Sequence, residues 1–421
     1  MESLVTDSER AKITYLWDRF RGAGQGMVET CWQVFALLVA IRYFQADESI
    51  KQFIPAGLGI GFVLGPIGLS LASRLQIRIS LVIGLLWSGV ALAIGGMILS
   101  QGILSFVICV ALAQILSSQG VPMLTHIYSK NYHGGIRGSR LSTTFLVGSF
   151  SGIITGFIGG ELLDTDVHLY PYVFTIGILA ALIAAVSAAR IPSEPATSLL
   201  SRNPFESLSL MWKDRLFGWM LLAWMLMGIG NLMLIPVRIE YLANPIYGIN
   251  ATNTQISALL ISTVLTFRLL STKVWGFLFD RINVVTLRIS LNLVFSASIS
   301  CFFFTDKLWL MGIGCALLGL AFGGGGILWN LYVTKIAPPD KVAAYMSVHS
   351  FTTGLRMAAA PFIGYTIISY THPSFAAWLA LLFIGASTII FIPLKSMIDS
   401  IGVSLDTPPD PPIDPTKPNA A

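Results

Sequence analysis

The feature that most limits what this chain can become is a run of about twenty mostly apolar residues that recurs along its whole length. A helix needs roughly 20 such residues to cross the hydrocarbon core of a bilayer. Reading between charge and turn clusters gives twelve expected spans. They lie near 23–44, 50–72, 79–100, 103–128, 139–163 and 169–190, then 216–237, 254–279, 284–304, 307–335, 342–368 and 373–395. The 421 residues are 54% hydrophobic and only 11% charged, whereas a soluble domain carries about 25% charged residues. Such a chain cannot cover a water-facing surface, so the expected fold is all-α and integral to a membrane.

The loops orient the spans, because Lys and Arg accumulate on the cytoplasmic side. With the N-terminus inside, the inner loops hold Arg10, Lys12, Arg19, Arg74, Arg78, Lys130, Arg137, Arg190, Arg202, Lys213, Arg281, Lys335 and Lys341, among others. The outer side holds only Arg42, Lys51, Arg238 and Lys307. Both termini are therefore expected in the cytoplasm of a multi-pass protein of the cell (inner or plasma) membrane. The opening residues have no apolar core followed by small cleavage-site residues, so no cleavable signal is read there. Residues 1–22 are expected to form an amphipathic segment along the cytoplasmic interface. Ile13, Leu16, Trp17 and Phe20 lie on one side of it, and Arg10, Lys12, Asp18 and Arg19 on the other. Residues 191–215 read as a central cytoplasmic linker between two six-helix bundles, 23–190 and 216–395. Residues 396–421 read as a disordered proline-rich tail.

The two bundles repeat one another. "THIYSKNYHGGIRGSRLS" and "WNLYVTKIAPPDKVAAYMS" occupy corresponding places, setting Tyr128 against Tyr332 and Ser142 against Ser347. "GFIGG" at 156–160 matches "PFIGY" at 361–365, and Arg74 pairs with Arg281. Between spans eight and nine, Gly276, Asp280 and Arg281 fit the first half of a G-x-x-x-[DE]-[RK]-x-G-[RK] pattern. Asn283 and Val284 then depart from it. The copy after span two has Leu69 at the Gly position and Ser73 at the acid, while Arg74 and Arg78 remain.

Twelve spans, a central loop, a six-plus-six repeat and this motif together resemble the major facilitator superfamily, over nearly the whole chain. The resemblance implies two pseudo-symmetric six-helix halves that transport by alternating access. It also implies an inner gate formed by Gly276, Asp280, Arg281 and Arg74, set against the plainer reading that these charges end helices at the headgroups. Span five carries Gly148, Gly152, Gly156 and Gly160 at four-residue spacing, and span two carries Gly57, Gly61 and Gly65. Such bare faces let helices pack closely. In the resembled family, spans two, five, eight and eleven meet across the halves, so these glycines are expected either to ease sliding there or to pack statically. The antiporter motif of span five is similar in its glycines, but Phe157 stands where that motif has Pro. The glycine run Gly323–Gly326 has no Lys-Ser/Thr after it and lies within a span, so a phosphate-binding loop is excluded.

An ionisable group in mid-membrane is costly and usually faces a cavity or a partner. Glu29 in span one, Arg268 in span eight, Arg356 in span eleven and His126 in span four are the candidates. Arginine keeps its charge and can clamp a carboxylate or phosphate bidentately. Arg268 and Arg356 are therefore expected either to bind an anionic group or to form an internal salt bridge, and Glu29 either to carry a proton or to pair with one of them. Trp32, Gln33, Gln114, Asn231, Trp329 and Asn330 lie on the spans that line the cavity in the resembled family. They suit an organic solute better than a bare ion.

The expected function is a secondary active transporter of a small organic solute, anionic or zwitterionic, coupled to protons. A proton-coupled exporter of amphiphilic drugs is the nearest alternative, and a receptor or scaffold that no longer moves solute is another. The five histidines are scattered and no H-x-x-x-D or D-x-D pattern occurs, so no enzyme is read. Cys31, Cys109, Cys301 and Cys315 all lie in apolar runs, which predicts neither disulfide nor metal site. No cofactor and no nucleic-acid partner is expected. The lipid bilayer, the solute and protons are the expected partners of a monomer.

Overall fold

The computed structural model describes residues 7–132, 134–198, 206–338 and 341–405. In hydrocarbon every backbone N–H and C=O must find its partner within the segment, so each long apolar run becomes a helix. In the first half α1 runs over Asp7–Thr30 and continues through a π-helical stretch, Cys31–Phe35, into Ala36–Arg42. It is followed by α2 (Phe53–Ala72), α3 (Ile79–Leu99), α4 (Ile103–Asn131), α5 (Gly134–Thr165) and α6 (Tyr170–Ala189). In the second half α7 covers Arg215–Ala243. Next, α8 joins Asn253–Ser257, a π-helical Ala258–Thr263 and Val264–Arg281. The rest are α9 (Val284–Phe303), α10 (Leu308–Leu331), α11 (Val342–Tyr370) and α12 (Pro373–Leu405). Among the described residues eleven helices are long and apolar enough to cross a membrane. The twelfth, α11, has 29 residues, ample length at about 1.5 Å per residue, but His349, Thr352, Thr353 and Arg356 lower its hydropathy.

Side-chain caps mark several helix starts. The Asp214 carboxylate accepts the Phe217 amide ahead of α7, Thr252 and Gln255 form a capping box on α8, and Asn283 accepts the Val285 amide of α9. Each cap satisfies an amide that the helix cannot.

Helix packing repeats between the halves. In the first, α1 packs on α5 and α6, α3 on α4 and α6, and α2 on α4. In the second, α7 packs on α11 and α12, α9 on α10 and α12, and α8 on α10. These are the same contacts shifted by six helices. Two equivalent seams, α2 with α11 and α5 with α8, join the halves.

Three boundaries differ from those expected. Of the segment expected at 1–22, the residues from Asp7 onward are the first turns of α1, and those before it lie outside the described residues. Thr14, Asp18 and Arg21 are buried there. The hydrogen bonds of these polar residues explain the difference: an amphipathic pattern can face a polar seam between helices as well as a membrane surface. The C-terminal helix continues past residue 395 to Leu405, and the rest of the expected tail lies outside the described residues. Lys51 and Arg238, read as outer-loop cations, are 2% and 1% exposed.

The described part of the linker is pinned to the first half. Ile79 N donates to Glu194 O (3.0 Å) and Ala196 N to Ile77 O (2.8 Å). The Ser193 hydroxyl accepts the Ser80 amide at 2.9 Å.

Candidate functional site

One face of α1 carries Asp18, Arg21, Gln25, Glu29 and Gln33, at helical spacings of three and four that stack side chains above one another. The lower part of this face is a closed polar network. The Asp18 carboxylate accepts from Arg21 Nε (2.7 Å), Tyr128 OH of α4 (2.7 Å) and Thr144 Oγ1 of α5 (2.7 Å). Arg21 Nη2 donates to the Tyr128 oxygen at 3.3 Å, and Nη1 donates to Gln25 Oε1. Gln25 Nε2 then donates to Glu29 Oε1 at 2.7 Å. A continuous chain of hydrogen bonds thus leads from the end of the bundle that holds the termini up to Glu29. Side chains joined in this way hold one another's geometry.

Across from it, Arg268 belongs to α8 and has substantial accessible surface although it sits mid-helix. Its charge and that of Glu29 lie close enough to act on each other. Among the described residues no carboxylate comes within ion-pair distance of it. Gln33 is exposed one turn beyond Glu29. Both elements contain a π-helical stretch near the charged residue, Cys31–Phe35 after Glu29 and Ala258–Thr263 before Arg268. In the latter, Thr263 Oγ1 donates to Ala258 O at 2.8 Å. A π-turn inserts a residue into the helical repeat and re-aims the side chains beyond it, and such turns concentrate at functional sites.

The other expected site residues are dispersed. Trp32 is buried in the apolar core of the first half. Gln114 is buried with its Oε1 accepting the Leu58 amide at 2.9 Å, a bond that ties α4 to α2. Asn231 is 4% exposed inside the second half. His126 lies near the terminal end, with Nε2 3.6 Å from Glu194 of the linker. Asn330 is exposed at the last turn of α10, where its amide donates back to Gly326 O. Trp329 donates from Nε1 to Thr353 Oγ1 at 3.1 Å. Arg356 is 4% exposed and pairs with neither Glu29 nor any other described acid. It donates to Trp224 O and Thr353 Oγ1, both at 3.0 Å. The two mid-span arginines therefore do not share one site.

Most of the expected glycine faces pack within a half. A Cβ at Gly57 would lie 2.9 Å from Ala111 Cα of α4, and one at Gly61 3.0 Å from Ile115 Cα of α4. Gly148 and Gly152 meet Gly22 and Gly26 of α1, and Gly65 has open space. Only Gly156, against Ile261, and Gly160, against Thr254, reach the other half. The seam between α2 and α11 rests on two glycines that were not singled out. A Cβ at Gly59 would strike the backbone of Met357 and Ala358, and one at Gly354 would come 3.0 Å from Val63 N.

At the end opposite the termini the halves are clasped. Lys51 Nζ lies 2.6 Å from Glu240 Oε1, with both side chains almost fully buried. The same Glu240 oxygen accepts from Asn244 Nδ2 at 2.7 Å. Arg42 Nη1 donates to Asn253 Oδ1 (2.7 Å), and the Asp164 carboxylate accepts the amides of Asn253 (2.6 Å) and Thr254 (2.9 Å). Phe53 meets Phe362 edge-on with ring centroids 4.9 Å apart. These side-chain hydrogen bonds and the Lys51–Glu240 ion pair join the halves at this end. Of the expected gate at the terminal end, Arg74 and Arg281 are exposed, and Arg281 stacks on Phe277, 3.8 Å from the ring centroid. Among the described residues Gly276 approaches Ile327. The side chain of Asp280 lies outside the described residues.

The family model of the Major Facilitator Superfamily matches residues 22–361. The chain belongs to the Major Facilitator Superfamily. No curated protein matches it in sequence. Its fold is similar to that of the nucleoside transporter NupG, with a TM-score of 0.69 and 14% identity over 91% of this chain and 98% of that one. A D-xylose-proton symporter is similar at a TM-score of 0.65 and 13% identity, covering 91% and 97% of the two chains. A bacterial homolog of the human lysosomal transporter Spinster, solved inward-facing and occupied, gives 0.62 and 12% identity over 94% and 97%. At these identities the likeness is one of fold. The family points to a transporter rather than an enzyme.

Proposed function

We propose that this superfamily member moves a small organic solute bearing an anionic group, alone or as part of a zwitterion, by alternating access coupled to protons. The observation that carries the reading is Arg268: a guanidinium at mid-span, accessible, and with no described acid within ion-pair distance. A cation at mid-span seeks a counter-charge, and a carboxylate or phosphate on the solute supplies one in a geometry that arginine matches. Glu29 sits opposite, at the head of the hydrogen-bonded chain along α1, and is the proton carrier of this reading. Loss of its proton leaves a carboxylate facing Arg268 that competes with the solute, which links proton and solute occupancy. The Lys and Arg distribution supports placing the termini in the cytoplasm. The clasp of Lys51 with Glu240 then closes the outer side.

Reconstitution into liposomes with an imposed pH gradient tests this. Labelled organic anions or zwitterions should accumulate in the parent. Glu29→Gln should lose gradient-driven accumulation while keeping solute exchange, and Arg268→Gln should lose both. Accumulation of lipophilic cations alone would sink the proposal, and uptake indifferent to the pH gradient would remove its proton coupling.

A further inference from the structure

The second half holds a separate set of buried cations. Arg288 of α9 and Arg356 of α11 are 2% and 4% exposed, and no described carboxylate lies within ion-pair distance of either. Both guanidiniums lie against one indole, with Cζ 4.2 Å (Arg288) and 5.6 Å (Arg356) from the Trp224 ring centroid, and the two charges are close enough to repel each other. His349 and Tyr332 complete the cluster. Their rings lie 5.1 and 5.3 Å from that of Trp224 and 4.8 Å from each other.

The hydrogen bonds present do not account for this set. Arg288 Nε donates to Asn292 Oδ1 at 3.1 Å, and Arg356 uses its two terminal nitrogens on Trp224 O and Thr353 Oγ1. Arg288 Nη2, Arg356 Nε, the Tyr332 hydroxyl and both ring nitrogens of His349 are buried without a hydrogen-bond partner among the described residues. Three elements of one half, α9, α11 and the turn that follows α10, therefore carry unpartnered polar atoms around Trp224. A buried ion that lacks its partner costs several kcal/mol. An arginine over an aromatic face recovers only about 0.5–2 kcal/mol. The fold nevertheless makes room for the charge, since Gly228 of α7 leaves the space that the Arg356 side chain fills.

We infer that Arg288, Arg356, His349 and Tyr332 hold a small inorganic anion of the chloride class, occluded within the second half and distinct from the solute site at Arg268. The free ion is favoured over a group of the solute because every member is at most 4% exposed. Trp329 donates to the same Thr353 hydroxyl that accepts from Arg356, so the cluster is bonded into the helix packing around it. Held there, the anion removes the repulsion between the two arginines and fixes α7, α9 and α11 to one another. It acts as a structural counter-ion whose occupancy sets the stability of that half.

The test is thermal unfolding of the purified full-length protein as chloride replaces gluconate at constant ionic strength. The midpoint should rise by a few degrees and saturate at about ten times the half-saturating concentration, with bromide replacing chloride. Arg268→Gln should keep this response and Arg288→Gln should lose it. Because Arg288→Gln can fail to fold, bromide-soaked crystals of the parent give a second reading: an anomalous peak between Arg288 and Arg356 is expected. A midpoint that follows ionic strength alone, an Arg288→Gln protein that responds like the parent, saturation by organic carboxylates only, or no bromide peak would each overturn the inference.

Discussion

Asp18 shows how much one carboxylate organises. It is fully buried and accepts from Arg21, Tyr128 and Thr144, which belong to three different helices. Asp18→Ala leaves the Arg21 guanidinium buried and short of its partner, so a loss of about 3–5 kcal/mol is expected, read as a lowered unfolding midpoint. Thr144→Val removes one hydrogen bond and should cost about 1 kcal/mol. Glu29 and Arg268 were legible from the sequence because a charge inside an apolar run stands out. Asp18 and Arg21 were not, since charges near the start of a span read equally well as a headgroup anchor. Arg288 was hidden for the same reason, lying one turn into α9. For the neutral residues the sequence gives the span but not the face. Gln114 and Trp32 are buried within the first half, while Gln33, one turn from Glu29, is exposed.

Among the elements, the seam between α2 and α11 is the place where a single methyl group has leverage. Gly59 faces the backbone of Met357 and Ala358, and neither can yield without moving α11. Gly59→Ala should therefore separate the helices, seen as a longer spin-label distance between them and slower transport. Gly65→Ala, which meets open space, should change neither. Glycines at four-residue spacing permit close packing, yet spacing cannot say which neighbour comes close. Gly148 and Gly152 turned out to bring α5 against α1 of the same half. The π-helical stretches of α1 and α8 had no signature in the apolar pattern, because an inserted residue shifts the helix face without altering composition.

At the scale of the whole molecule the fold follows from apolar runs and the internal repeat, and the helix contacts of one half recur in the other. Which end is closed depends on a handful of side chains, and sequence alone did not reveal the Lys51–Glu240 pair because each residue reads as an ordinary helix-end charge. Lys51→Ala leaves Glu240 buried without its cation and should loosen the clasp. Cysteines placed at the end opposite the termini should then react faster with a membrane-impermeant thiol reagent, with Lys51→Ala/Glu240→Ala returning part of the way towards the parent rate. The central claim is that Arg268 receives the anionic group of a transported solute. Its most direct test is the thermal stabilisation of parent and Arg268→Gln proteins by a panel of organic anions, zwitterions and cations at fixed chloride. A true ligand at about 100 times its dissociation constant adds roughly 2.7 kcal/mol to stability. Anions or zwitterions should stabilise the parent and leave Arg268→Gln unmoved. Stabilisation by lipophilic cations alone, or an equal response in the two proteins, would contradict the account.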